Sequence, residues 1–192
     1  MMRKKGITQA AYCSLFITRL GTGGVVASEK GLLEIFLPFG GETWQGIRAR
    51  FSSRYPVDLG ESLLSKQAAK LLADYFAGKA VLFDLAIDRS GFTAFQDRIY
   101  RVVESIPYGE VKSYGGIALE IGAPRAARGV GSAMARNPLP IVIPCHRVVG
   151  KHGAMTGYSA SGGVDSKIWL LEMEKADLKK KTWENAGISR GL

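Results

Sequence analysis

The chain has 192 residues, with 26 Lys and Arg against 17 Asp and Glu, for a formal charge of +9. That length can build a real core, as one domain or as two small ones, and no apolar run reaches the roughly 20 residues needed to cross a bilayer, so no membrane partner is expected. The only cysteines are Cys13 and Cys145 and the only histidines His146 and His152; they form neither a disulfide framework nor a compact zinc pattern, so reduced thiols and no metal are expected.

The chain opens MMRKKGITQAAYCSLFITRLG, a basic head before a short apolar patch. A signal peptide is one reading, but no small-residue cleavage site precedes Thr18-Arg19, and the patch reads well as a first strand. A cytoplasmic protein is therefore expected. GTGGVVASEKG supplies a short second strand with turns, LLEIFLPFG a third, and AVLFDLAI a further candidate. Between them, ESLLSKQAAKLLADYFAGK sets Leu63, Leu64, Ala68, Leu71, Leu72, Tyr75 and Phe76 at helical spacing and stops at Gly78. This first part is a small α/β unit that reads as scaffold. The polar, glycine-containing DRSGFT at 88–93 is the expected boundary, giving domains at 1–91 and 92–178 and a basic tail at 179–192.

Beyond the boundary, TAFQDRIYRVVESI begins with a capping box of Thr93 and Gln96, and Phe95, Ile99, Val102, Val103 and Ile106 line one face. PYGEVKSYGGIALEIGAPRAARGVGSAMARN then reads as turn, helix, turn, helix: Ser113 caps the first through Glu120, Gly122 ends it, and Pro124 suits the first turn of the next, which runs to about Asn137. Two short helices joined this way form a helix-turn-helix. The second is nearly bare of bulk, with Ala126, Ala127, Gly129, Gly131, Ala133 and Ala135. Each interior glycine costs about 1 kcal/mol relative to alanine, so this helix needs close approach, either to a neighbouring helix or to a narrow groove of nucleic acid. PLPIVIP follows as a short strand bracketed by prolines, then a glycine-rich loop, then the closing helix SKIWLLEMEKADLKK with Ile168, Leu171 and Leu178 available for burial.

Charge sharpens the choice. From Ile121 to Val164 there is no Asp or Glu, while Arg125, Arg128, Arg136, Arg147 and Lys151 all fall within those 44 residues. Such a stretch fits a surface that lies against phosphates.

Cys145 ends the proline-bracketed strand, inside IPCHRVV. A thiol attacks as thiolate, and a histidine can take its proton when a carboxylate orients the ring. Neighbours in an extended chain point to opposite faces, so Cys145 and His146 would meet only at a bend or through a water. On the dipeptide alone, a buried small hydrophobe and a nucleophile both remain open. Beside a DNA-reading helix, a nucleophile suggests chemistry on a base, which must be flipped from the duplex to be reached. Arg128, central on the bare helix, is the candidate to fill the gap; an ordinary phosphate contact is its plainer role.

Taken together, IPCHRVV, the preceding PYGEVKSYGGIALEIGAPRAARGVGSAMARNPLP and the following GAMTGYSASGG and KIWLLEMEKA resemble the O6-alkylguanine-DNA alkyltransferases. The resemblance is dense from Phe92 to about Lys175 and faint before it. It implies an α/β (α+β) two-domain fold: a small N-terminal α/β domain with a mixed or antiparallel sheet, RNase H-like, and a mostly helical C-terminal domain with the helix-turn-helix. It implies a monomeric DNA repair enzyme without cofactor that binds double-stranded DNA through the minor groove and moves an alkyl group from O6 of guanine irreversibly onto Cys145. His146 matches the residue that deprotonates Cys145 through a water. Counting back from KIWLL, the histidine-orienting glutamate falls on Glu174, with Glu172 its rival. Arg128 matches the intercalating finger, Tyr114 the residue that rotates the nucleotide and bonds the departing guanine, and Asn137 the hinge, with Arg125 and Arg136 as further DNA contacts. Met134, Pro140, Val148, Tyr158 and Ser159, with Tyr114, match the base pocket. The loop Tyr158-Ser159-Ala160-Ser161-Gly162-Gly163 is two residues longer than the family's usual Tyr-x-Gly-Gly. The alternatives are a lesion sensor without transfer activity, against which Cys145 itself argues, and a helix-turn-helix DNA-binding protein with an incidental thiol.

Overall fold

The computed structural model describes residues 11–55, 60–155, 157–160 and 162–176. The basic tail, Leu178, Ser161 and the first ten residues, where the basic head of the candidate signal peptide falls, lie outside these. The chain is a mixed α/β protein with a small antiparallel sheet and, among the described residues, six α-helices. Its contacts gather into two units, residues up to Gly91 with Pro138–Pro140, and Phe92–Asn137 with the residues from Ile141 onward.

In the first unit, β1 (Tyr12–Thr18), β2 (Gly21–Ser28) and β3 (Gly31–Phe36) form an antiparallel meander in the order β1-β2-β3. Alternation along β1 sends successive side chains to opposite faces. Cys13 and Leu15 join the cluster of Ala11, Val26, Ile47, Phe51 and Tyr55 under α1 (Trp44–Arg54). Ser14 and Phe16 face α2 (Leu63–Phe76): Ser14 Oγ lies 2.8 Å from Ser65 Oγ, and the Phe16 ring stacks on Phe76 with centroids 6.0 Å apart. Helix α1 was not anticipated, because only Ile47 and Phe51 mark its buried side; the signal was there in Thr43, whose hydroxyl accepts from Gly46 N, followed by that i, i+4 pair. Leu63, counted on the apolar face of α2, is 89% exposed at the first helical position. AVLFDLAI is not a strand. It meets the sheet through one parallel bridge of Ile87 with Leu32, and Leu82 is exposed, so the run has no neighbour to continue a ladder.

In the second unit, α3 (Ala94–Glu104) carries the Thr93–Gln96 capping box and buries Ile99, Tyr100 and Val103. The helix-turn-helix consists of α4 (Tyr114–Glu120), capped by Ser113 Oγ on Gly116 N, and α5 (Ala127–Ala135). Helix α5 is shorter than its composition suggests, since Pro124 lies in the connecting turn rather than in the first helical turn. The two-residue strands β4 (Lys112–Ser113) and β5 (Val148–Val149) pair in parallel, Lys112 with Val148 and Ser113 with Val149. Helix α6 (Gly163–Met173) closes the unit; Leu170 and Leu171 are buried, whereas Ile168, expected inside, is 36% exposed. PLPIVIP does not form a strand. Its prolines remove ladder donors, and Ile141 takes a left-handed φ of 75°, which breaks extension for a β-branched residue.

Candidate active site

Cys145 is delivered by a bend. Pro144, at φ −77° and ψ 66°, forms an inverse γ-turn in which Cys145 N donates to Ile143 O at 2.7 Å. Cys145–Arg147 then make one 3₁₀ turn before β5. The Cys-His pair is therefore not in extended backbone, so strict alternation of faces does not apply to it. Asn137, two residues beyond α5, holds the approach, its Nδ2 donating to Ile143 O at 2.8 Å.

The thiol is 5% exposed at the wall of a cavity of about 710 Å3. Tyr114, Arg128, Met134, Tyr158 and Ser159 line it as well, together with the small residues Ala127, Gly131, Ala135, Gly150 and Gly157. Ser159 Oγ donates to Ala135 O at 2.9 Å, pinning the glycine-rich loop to the C-terminal end of α5. The lining does not include Pro140, which groups with the first unit, or Val148, which is fully buried. Burial pushes the Cys145 thiol up, opposed by hydrogen bonds from Asn137 and Tyr158 and by the charge of Lys167.

The structure brings His146 and Glu174 together. His146 Nε2 lies 2.9 Å from Glu174 Oε1, with both side chains at 0% exposure. Glu174 sits at the C-cap of α6. Lys175 there adopts φ 54°, Lys175 N donates to Glu172 O and Ala176 N to Leu171 O, the paired bonds of a Schellman turn. Glu172 is exposed, which separates the two rivals. Burial alone raises the Glu174 carboxyl, but the hydrogen bonds and charges of His146 and Arg147 overcome it and hold the group well below the usual carboxylate range. An ionised carboxylate only accepts, so the imidazole hydrogen sits on Nε2 and the ring's lone pair on Nδ1. Burial is the main cause that lowers His146; Glu174 opposes it.

Two residues at the site escaped the sequence reading. Arg147, counted among the surface cations, is instead buried against Glu174. Lys167 is 1% exposed; its Nζ donates to Val148 O at 2.6 Å and lies 5.9 Å from the Tyr114 ring centroid. Burial pulls its ammonium down to about 8, against the attraction of Cys145. The signal was present: Lys167, Leu170, Leu171 and Glu174 stand at i, i+3, i+4 and i+7, one face of α6.

Arg125, Arg128 and Arg136 are exposed around α5, and Lys151 on the loop after β5. The two glycines of α5 have different neighbours. A Cβ on Gly129 would come within 3.2 Å of the Phe95 ring, so that glycine serves helix packing. One on Gly131 would meet Tyr114 only at an ordinary 3.8 Å and would face the cavity.

Residues 94–176 match the family model for the 6-O-methylguanine DNA methyltransferase DNA-binding domain. A methylated-DNA–protein-cysteine methyltransferase of Mycolicibacterium paratuberculosis is 51% identical over 108 residues, 56% of this chain and 64% of that protein's length. The constitutive enzyme of the same name from Bacillus subtilis is 45% identical over 115 residues, 60% of this chain and 68% of its own. Among solved structures, Mycobacterium tuberculosis O6-methylguanine methyltransferase superposes with a TM-score of 0.68 at 36% identity, covering 86% of this chain and 93% of that one. Mycobacterium tuberculosis OGT in complex with DNA gives a TM-score of 0.66, also at 36% identity, covering 86% and 92%. These relatives and the shared fold show that the chain belongs to the 6-O-methylguanine DNA methyltransferase family.

Proposed function

We propose that the protein repairs O6-alkylguanine, chiefly O6-methylguanine, in double-stranded DNA by moving the alkyl group irreversibly onto Cys145, one group per molecule. The observation that carries this is the placing of Cys145 at the wall of a cavity that Arg128 also lines, with His146 and Glu174 hydrogen-bonded behind it. The relatives that carry the name methylated-DNA–protein-cysteine methyltransferase support the same chemistry.

In this proposal α5 enters the minor groove, where its small residues allow close approach. Arg125 and Arg136 contact the backbone. Arg128 occupies the gap left by the flipped nucleotide, and Tyr114 guides that nucleotide and hydrogen-bonds the guanine. The Cys145 proton passes through a water to His146, the sulfur attacks the alkyl carbon, and the carbon–O6 bond breaks. The electron pair stays on guanine, which takes up a proton, so the net exchange is a thiol hydrogen for an alkyl group. The buried Lys167 ammonium favours the thiolate in a dry site.

The protein acts as a monomer in the cytoplasm, where a thiol stays reduced. Residues 1–91 serve as an RNase H-like scaffold domain and 92–178 as the working domain, with a basic tail at 179–192. The test is intact mass after incubation with a duplex bearing O6-methylguanine. A gain of one methylene on Cys145, absent in Cys145→Ala, is the expected result; tight binding without mass gain would make the protein a lesion sensor.

A further inference from the structure

Glu174 accepts hydrogen bonds from His146, Arg147 and Gly109. Oε1 takes His146 Nε2 at 2.9 Å and Arg147 Nη2 at 2.8 Å, and Oε2 takes Arg147 Nε at 2.9 Å and Gly109 N at 3.2 Å. Arg147 is itself fixed from elsewhere, donating through Nη1 to Ile106 O at 2.7 Å and lying over the Tyr108 ring at 5.7 Å. The three side chains are 0%, 9% and 0% exposed for His146, Arg147 and Glu174, so solvent screens their charges little.

Charge counting then constrains the imidazole. One carboxylate and one guanidinium already balance. A protonated His146 would leave a net positive charge in a buried site, with the Lys167 ammonium close by. Were Glu174 paired with His146 alone, the carboxylate would draw a proton onto the ring and form an ion pair. An imidazolium accepts no proton.

We propose that Arg147 is a positioning residue that cancels the charge of Glu174, so that Glu174 orients the His146 ring without turning it into an imidazolium. Glu174 supplies direction, Arg147 removes the charge that would otherwise come with it, and His146 stays a neutral base. The charged and titratable groups around the ring are Cys145 and Arg147 from its own turn, Lys167 and Glu174 from α6, and Tyr108, which faces Glu174 and Arg147 from the turn after α3. Glu174 favours the charged ring; Arg147 and Lys167 both oppose it.

The inference rests on the alkyl-transfer function proposed above only for its kinetic readout. The first measurement needs no DNA: nitrogen NMR of the imidazoles in the full chain, which contains only His146 and His152. In the unmodified protein His146 stays neutral with its hydrogen on Nε2 across the range from about pH 5 to 8. In Arg147→Met its proton affinity rises at least about tenfold, one pKa unit. The acid-side midpoint of alkyl transfer moves up with it. In the double variant Arg147→Met/Glu174→Gln, where a neutral amide oxygen still accepts from Nε2, both return toward the original values. Arg147→Lys, which keeps the charge and loses the fork, leaves the titration near the original even where the rate falls. An unchanged His146 titration in folded Arg147→Met, a double variant no better than the single, or Arg147→Lys titrating like Arg147→Met would each overturn the proposal. A protein that transfers no alkyl group yet shows the expected titrations would remove the proposed function and leave the role of Arg147 standing.

Discussion

His146 Nε2 and Glu174 Oε1 are 2.9 Å apart although 28 positions separate the residues in the chain, and both side chains are closed to solvent. Replacing Glu174 by Gln leaves the ring without an anionic partner and Arg147 as a buried charge without its counterion. Alkyl transfer is expected to slow by about 10²-fold, and stability to fall by about 3–5 kcal/mol. The exposed Glu172→Gln changes transfer by less than about twofold. Single-turnover rates and denaturant melts of both variants check the assignment.

The same carboxylate sets an acid limit. Its folded-state pKa is depressed, so its contribution is complete above the ordinary carboxylate value of about 4.3 and is lost as pH falls from there toward the folded value. Unfolding free energy of the unmodified protein therefore drops steeply below about pH 4, and the Glu174→Gln variant, less stable throughout, loses less over that interval. Equilibrium melts at a series of acidic pH values read the slope directly.

Arg128→Ala tests base flipping. If Arg128 fills the gap as proposed, its loss is expected to slow reaction on duplex DNA at least about tenfold more than reaction on free O6-alkylguanine, which needs no unstacking. Equal slowing on the two substrates would make Arg128 an ordinary contact.

Lys167→Met keeps length and removes charge. Burial already holds the Cys145 thiol up, and Lys167 opposes that, so the variant's thiol titrates higher still and transfer at neutral pH slows. Ultraviolet absorbance of the thiolate across a pH series follows the shift without DNA.

The two glycines of α5 respond in opposite ways. Gly129→Val drives a side chain into the Phe95 ring and costs about 1–3 kcal/mol. Gly131→Ala gains helix propensity, about 0.8–1 kcal/mol, with ordinary contacts to Tyr114. Its methyl intrudes on the cavity, so a more stable protein that binds the base less well is expected. Thermal melts and transfer rates, measured together, separate the two.

Much of the second unit was legible because local rules and tertiary packing agree there. Thr93 with Gln96 and Ser113 with Gly116 N cap helices as their spacing implies. Failures came where tertiary partners decide. Arg147 and Arg128 look alike in sequence, yet one is buried by a carboxylate at the far end of the unit and the other is exposed. PLPIVIP has the composition of a strand, but its prolines and the left-handed Ile141 make it a bend. Helix α1 hid because two buried residues in eleven give almost no periodic signal.

The β4–β5 pair is only two rungs long, yet it fixes Ser113, and with it the start of α4, beside Val149. Lys167 ties α6 to Val148, and Ser159 ties the intervening loop to α5. The span between β5 and α6 is thus a strap buckled at both ends and once in the middle. Lengthening such a strap costs little, about 0.6 kcal/mol even for a doubling of a flexible loop. The two additional residues after Tyr158 can therefore reshape the rim of the cavity while the buckles hold Cys145, His146 and Glu174 in register, which makes this loop the place where an engineer could graft new sequence to alter what enters.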